Sequence, residues 1–131
     1  MKTKEPTAGD VPLIGGALCL DFTNTVGSRL NGAGSDMLRD YADLLAWSVH
    51  AGALKAAEAR GLLRAAARRP HAARAVRLRA IRLRSALYAV LHARVDGQAP
   101  RAGQLALLNR ELARALARAR LAKMPGHARR T

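Results

Sequence analysis

At 131 residues the chain is about one domain in size, long enough for a single core that buries roughly two-thirds of the unfolded surface. Half of the residues are hydrophobic, but the aromatics are one Trp, two Tyr and one Phe, so Leu, Ala and Val must fill the core, which favours packed helices over a sheet. The formal net charge of +14 excludes a neutral surface and is unevenly divided, since residues 1–54 carry four Lys or Arg against six Asp or Glu, and residues 55–131 carry 19 against three.

In chain order, residues 1–10 mix Lys, Thr, Glu, Pro, Gly and Asp and read as a flexible leader. Residues 11–14 could form a short strand, which Gly15-Gly16 would break. The run 11–20 behind Lys2 and Lys4 has some look of a secretion signal, but Glu5 and Asp10 interrupt it, and Leu18 is too large for the position before a lipidated cysteine. From 18 to 30 the pattern turns helical, with Cys19, Phe22, Val26 and Leu30 on an apolar side and Asp21, Asn24, Thr25 and Ser28 on a polar one. Residues 31–35, with two glycines, read as a loop.

Asp40 is placed to cap the next helix, Asp43 lies where a negative side chain favours a helix N-terminus, and Gly52 supplies the stop. Tyr41, Leu44, Leu45 and Ser48 share a face of it. An Ala-rich helix is predicted from Lys55 to about Arg68, after which Pro70 can open the next. The longest pattern runs from His71 to about Val95, with Val76, Ala80, Leu83, Leu87 and Val90 alternating spacings of four and three like a bundle seam. A turn at Asp96, Gly97 and Pro100 leads into a last helix from about 102 to 121 that is expected to bury Leu105, Leu108, Leu112 and Leu116. Residues 122–131 form a basic tail. The expected fold is therefore mainly α, a bundle of about five helices with a possible short N-terminal β-strand.

Local patterns give little support to catalysis. His50, His71, His92 and His127 never pair at the spacing of three or four that helical metal ligands need, and one cysteine permits neither an internal disulfide nor a multi-cysteine zinc site. The lone thiol fits a reducing, cytoplasmic setting, and no stretch approaches the roughly 20 uncharged apolar residues of a membrane span. Cys19 could meet a distant His50 or His92 as a nucleophile, but on the apolar face with Phe22 it reads better as a small hydrophobe.

Two surfaces remain as binding candidates. The stripe Asp21, Asn24, Thr25 and Ser28 contains weak helix formers whose cost a ligand pocket or only water could offset. Trp47, at the edge of its helix face between Ala46 and Ser48, is either core or a stacking surface for a ligand. The second candidate is basic. Arg77, Arg79, Arg82 and Arg84 flank the seam of the long helix and read as a solvated surface whose stems cover the seam. Arg110, Arg114 and Arg118 follow one another at spacings of four and are the better candidates for phosphate contact with DNA. Against this stands a compositional explanation, because 19 of the 23 basic residues are Arg and a GC-rich coding sequence enriches Arg and Ala without any selection for binding.

The run Gly15-Gly16-Ala17-Leu18-Cys19-Leu20-Asp21-Phe22-Thr23-Asn24-Thr25 resembles the N-terminal signature of the ABATE domain of bacterial CGNR zinc-finger proteins, a Gly-rich turn before Leu-Asp-Phe-x-Asn-Thr. Asp43-Leu44-Leu45-Ala46-Trp47 with Ala51-Gly52, Arg84-Ser85-Ala86-Leu87-Tyr88 and Leu108-Asn109 are similar to its later helices, and the resemblance covers residues 11–121. It implies a stress-responsive transcription regulator whose helical N-terminal domain precedes a zinc finger that binds DNA. The sequence reaches Thr131 without the Cys-rich segment or the Cys-Gly-Asn-Arg element, so zinc is expected only in such a finger and no cofactor is expected in this chain. A truncated gene product, an isolated domain and a regulator that works without its finger all fit. The reading is a non-catalytic regulatory domain, sensing a small molecule near Asp21, Asn24, Thr25 and Trp47 or mediating assembly as a homo-oligomer. The alternative is a nucleic-acid-binding module acting through Arg110, Arg114 and Arg118.

Overall fold

The computed structural model describes residues 6–26, 36–119 and 121. Five helices follow in order: α1 (Leu18–Thr23), α2 (Tyr41–His50), α3 (Ala56–Arg68), α4 (Pro70–Val95) and α5 (Ala102–Arg118). Among the described residues there is no strand. Residues 11–14 are irregular, and the sole ladder feature among the described residues is an isolated antiparallel bridge between Val26 and Asp36.

The punctuation of the chain explains most boundaries. The Asp40 carboxylate accepts from the Asp43 amide at 2.8 Å and so satisfies one of the free donors at the start of α2. Gly52 ends α2 with φ +80°, a conformation that side chains with a Cβ rarely adopt, and Ala53 donates back to the Ser48 carbonyl at 2.8 Å. Pro70 is the first residue of α4, where its missing amide hydrogen costs nothing.

Helix α1 departs from the expected span, because it stops at Thr23 and does not continue toward Leu30. The Thr23 hydroxyl donates to the Leu20 carbonyl at 2.8 Å, and the Thr25 hydroxyl donates to that of Phe22 at 2.7 Å. Threonines that take up the last carbonyls in this way compete with the helical ladder. Ending the helix there reverses two assignments. Thr25 is fully buried rather than on a solvated stripe, and Cys19 is exposed rather than packed with Phe22. Ser28 and Leu30 lie outside the described residues.

The core gathers Ala8, Val11, Phe22, Leu38 and Trp47, with Met37, Leu44, Ile81, Leu83 and Leu87 against them. Phe22 and Trp47 stack tilted with ring centroids 5.2 Å apart, a contact worth about 1 kcal/mol beyond the area it buries. Ala8, within the stretch read as a leader, belongs to this core. The turn that carries it is closed by Thr7, whose amide and hydroxyl both donate to the Asp10 carboxylate.

Helix α4 packs against each of the other four helices and is the axis of the fold. Helix α5 packs on α4 alone, and none of its residues is buried. The leucines expected inside are largely outside: Leu105 is 39%, Leu112 56% and Leu116 63% exposed. An amphipathic pattern states that a helix has an apolar face but does not state that the chain supplies a cover for it.

Candidate functional site

The Gly-Gly turn before α1 is held by one carboxylate. Asp21 Oδ1 accepts from the Gly15 amide at 2.8 Å, folding the turn back onto the helix that follows. A Cβ at Gly15 would lie 2.7 Å from Leu20 Cβ and 3.0 Å from Asp21 Oδ1, so the close approach requires glycine. Asp21 therefore shapes the entrance to α1.

Beyond α1, the chain leaves and returns at one place. Val26 and Asp36 form the antiparallel bridge, and the Met37 amide donates to the Thr25 carbonyl at 3.0 Å. Arg84 reaches this junction from the middle of α4. Its Nη1 donates to Asp36 Oδ1 at 2.7 Å and to the Thr25 hydroxyl at 3.1 Å, while Nη2 donates to Asp36 Oδ2 at 2.5 Å. Two turns earlier on the same face of α4, Arg77 Nε donates to the Leu38 carbonyl at 2.8 Å. Burial pushes the Asp36 carboxyl up. The Arg84 hydrogen bonds, the Leu38 amide and the charges of Arg84 and Arg77 pull it down harder, so it titrates below its ordinary value.

Arg84 is 4% exposed, which corrects its assignment to a solvated flank. It lies four residues after Ala80 and three before Leu87, at seam spacing, and that periodicity was the available signal that it faces inward.

A groove of about 570 Å³ opens between residues 11–14, α1 and the C-terminal part of α4. Its walls are mainly apolar, formed by Val11, Ile14, Leu20, Val26, Leu91 and Val95, and its polar groups come from Thr23, Asn24, Tyr88 and His92. The Tyr88 and His92 rings stack at 5.5 Å, and His92 Nε2 lies 3.4 Å from Asp96 Oδ2. Of the four residues expected to bind a ligand, Asn24 alone lines this groove. Asp21 holds the Gly15 turn, Thr25 lies in the Arg84 cluster, and Trp47 is buried against Phe22. Tyr88 and His92 were not anticipated as groove residues, because nothing in a single helical pattern reports which surface meets residues 11–14. His50, considered as a partner for Cys19, makes a 2.7 Å hydrogen bond through Nε2 to the Val11 carbonyl.

Arg110, Arg114 and Arg118 stand on α5, and α4 adds a second row. Arg79 and Arg82 of α4 line depressions shared with Arg110, Glu111, Arg114 and Arg118. Arg79 pairs with Glu111 through two hydrogen bonds of 3.2 and 2.8 Å. Among the described residues no group of three or more His, Cys, Asp or Glu side chains could hold a metal ion, and no helix is long and apolar enough to cross a membrane.

Among known families, the ABATE model, described as "Putative stress-induced transcription regulator", matches residues 16–131. No curated protein and no solved structure matches the chain.

Proposed function

Since the chain belongs to the ABATE family, whose description is that of a stress-induced transcription regulator, we propose that it is a non-catalytic regulatory domain that senses a small molecule in the groove between α1 and α4. The observation that carries this reading is the groove itself. Its volume falls in the range of ordinary ligand sites, and its walls are mainly apolar with a few converging polar groups. Asn24 of the N-terminal signature lies there beside Tyr88 and His92, so the signature and the long helix contribute to one surface.

The chemistry of the ligand follows from the ends of the groove. The C-terminal end of α4, the negative end of its helix dipole, lies at Val95, and Asp96 follows it. Both disfavour an anion and favour a hydrogen-bond donor. The ligand class is therefore a small, largely apolar molecule with a donor at one end. Val26 lines the groove and also forms the bridge to Asp36, which gives an occupied groove a direct contact with the Arg84 junction.

Indole, apolar with a single N–H donor, is a suitable probe, and indole-3-acetate is its anionic counterpart. In NMR titrations of the full chain, indole should shift the signals of Asn24, Val26, Tyr88, His92 and Val95, and indole-3-acetate should bind several-fold more weakly. Ile14→Glu and Val95→Glu change side chains that are 83% and 84% exposed, so the fold should survive while binding weakens. Shifts confined to the α5 leucines, or binding indifferent to both variants, would reject the groove as the site.

A further inference from the structure

We propose that the face shared by α4 and α5 binds the phosphodiester backbone of duplex nucleic acid, a surface separate from the groove and independent of the ligand reading. Arg110, Arg114 and Arg118 rise along α5, and Arg79 and Arg82 stand opposite them on α4. These side chains line two adjoining depressions of about 420 and 280 Å³ that share Arg79, Glu111 and Arg114. Five guanidinium groups therefore surround one carboxylate.

That carboxylate does not neutralise the face. Glu111 is held below its ordinary titration range, chiefly by the Arg79 hydrogen bonds, so it remains ionised and its charge is taken up by Arg79. Arg114 Nη1 stands 3.9 Å from Glu111 Oε1, a loose contact. No hydrogen bond or ion pair holds Arg82 or Arg118 among the described residues, and Arg110 feels Glu111 only through its charge, without a hydrogen bond. The excess on the face is four positive charges, carried by the side chain best shaped to fork onto phosphate oxygens.

The spacing suits a continuous polyanion better than a single small anion. From Arg110 to Arg118 the helix rises about 12 Å, a length of duplex that carries about seven phosphate charges. The depressions are lined by Arg, Leu, Ala and Glu with no aromatic side chain, so unstacked bases find no platform and a single strand gains little beyond its charge. Contacts limited to phosphates position a duplex without reading its sequence. A compositional origin of the arginines explains their number but not the convergence of two rows from different helices on one side of the molecule.

The test is fluorescence anisotropy of the full chain with a labelled 20-base-pair DNA duplex of arbitrary sequence, titrated across NaCl concentrations. With four phosphate contacts, affinity should fall roughly 150-fold between 50 and 200 mM salt, a log–log slope near about −3.6. Arg110→Gln with Arg118→Gln should make that slope shallower by about 1.8. Arg64→Gln with Arg68→Gln, which removes the same charge from exposed positions on α3, should leave it unchanged. Glu111→Gln releases Arg79 and should tighten binding and steepen the slope by about 1. An RNA duplex should bind comparably and a single-stranded 20-mer more weakly.

Equal effects of the α3 and α5 pairs would reduce the face to net charge and overturn the proposal. So would weaker binding by the Glu111 variant, or polyglutamate competing as well as duplex at equal charge, which would point to an acidic protein partner.

Discussion

Asp36→Asn should destabilise the protein more than Arg84→Met, although each removes one half of the same ion pair. The asymmetry follows from exposure: the Arg84 side chain is 4% exposed and that of Asp36 32%. Asparagine at 36 leaves a guanidinium that cannot lose its proton in a site closed to water, at a cost of about 3–4 kcal/mol. Methionine at 84 leaves a carboxylate that regains solvent and keeps the Leu38 amide donor at 2.9 Å, which lowers the cost to about 1–2 kcal/mol. The double variant removes both charges and should cost no more than Arg84→Met alone, a coupling of about 3 kcal/mol or more. Against a total of roughly 5–15 kcal/mol these differences are large. Urea unfolding followed by the fluorescence of the single tryptophan, Trp47, reads them directly. The reasoning is refuted if the two single variants rank the other way, or if the coupling lies within about 0.5 kcal/mol of zero.

The same pair predicts an acid limb of stability. The folded-state titration of Asp36 lies below its ordinary value of 3.8, so its contribution is complete above that value and is lost as pH falls through the lower, folded one. The urea midpoint should drop on acidification below about pH 4, and the drop should be smaller in Asp36→Asn, with Glu111→Gln correcting for the other depressed carboxyl. Gly15→Ala drives a methyl group against Leu20 and Asp21 and should cost about 1–3 kcal/mol, whereas Asp21→Ala, which frees the Gly15 amide, should cost about 1 kcal/mol; thermal melts that show no loss for Gly15→Ala would refute the close approach. Leu112→Gln with Leu116→Gln should change stability by no more than about 0.5 kcal/mol per site, since both are more than half exposed. A loss above about 2 kcal/mol, or a protein-concentration dependence abolished by the pair, would show that the stripe is covered in solution.

The sequence made its punctuation legible. Asp40, Gly52 and Pro70 each mark a boundary through a local requirement of the backbone, and the helices they bound fall within a residue or two of the expected spans. The signature 15–25 was legible as a unit but not as chemistry. A helical projection carried through to residue 30 put Thr25 on the outside, whereas the two threonine hydroxyls end the helix and turn Thr25 inward. Arg84 was obscured by its type, since an arginine beside a seam is usually solvated, and only a tertiary partner 48 residues away makes its burial tolerable. Trp47 stood between core and ligand surface in the sequence, and the structure places it in the core. The groove was not legible beyond Asn24, because it depends on where residues 11–14 cross α4. The face of α5 was legible in its arginines but not in the second row that α4 supplies.

The junction at Val26 and Asp36 has a consequence for how the length of this chain can vary. Because Arg84 and Arg77 of α4 hold both flanks of the connection, its two ends are kept together by contacts outside residues 27–35. Closing a longer connection onto the same two points costs only about 0.6 kcal/mol for each doubling of its length. A longer connection between those points should therefore leave the Arg84 junction formed.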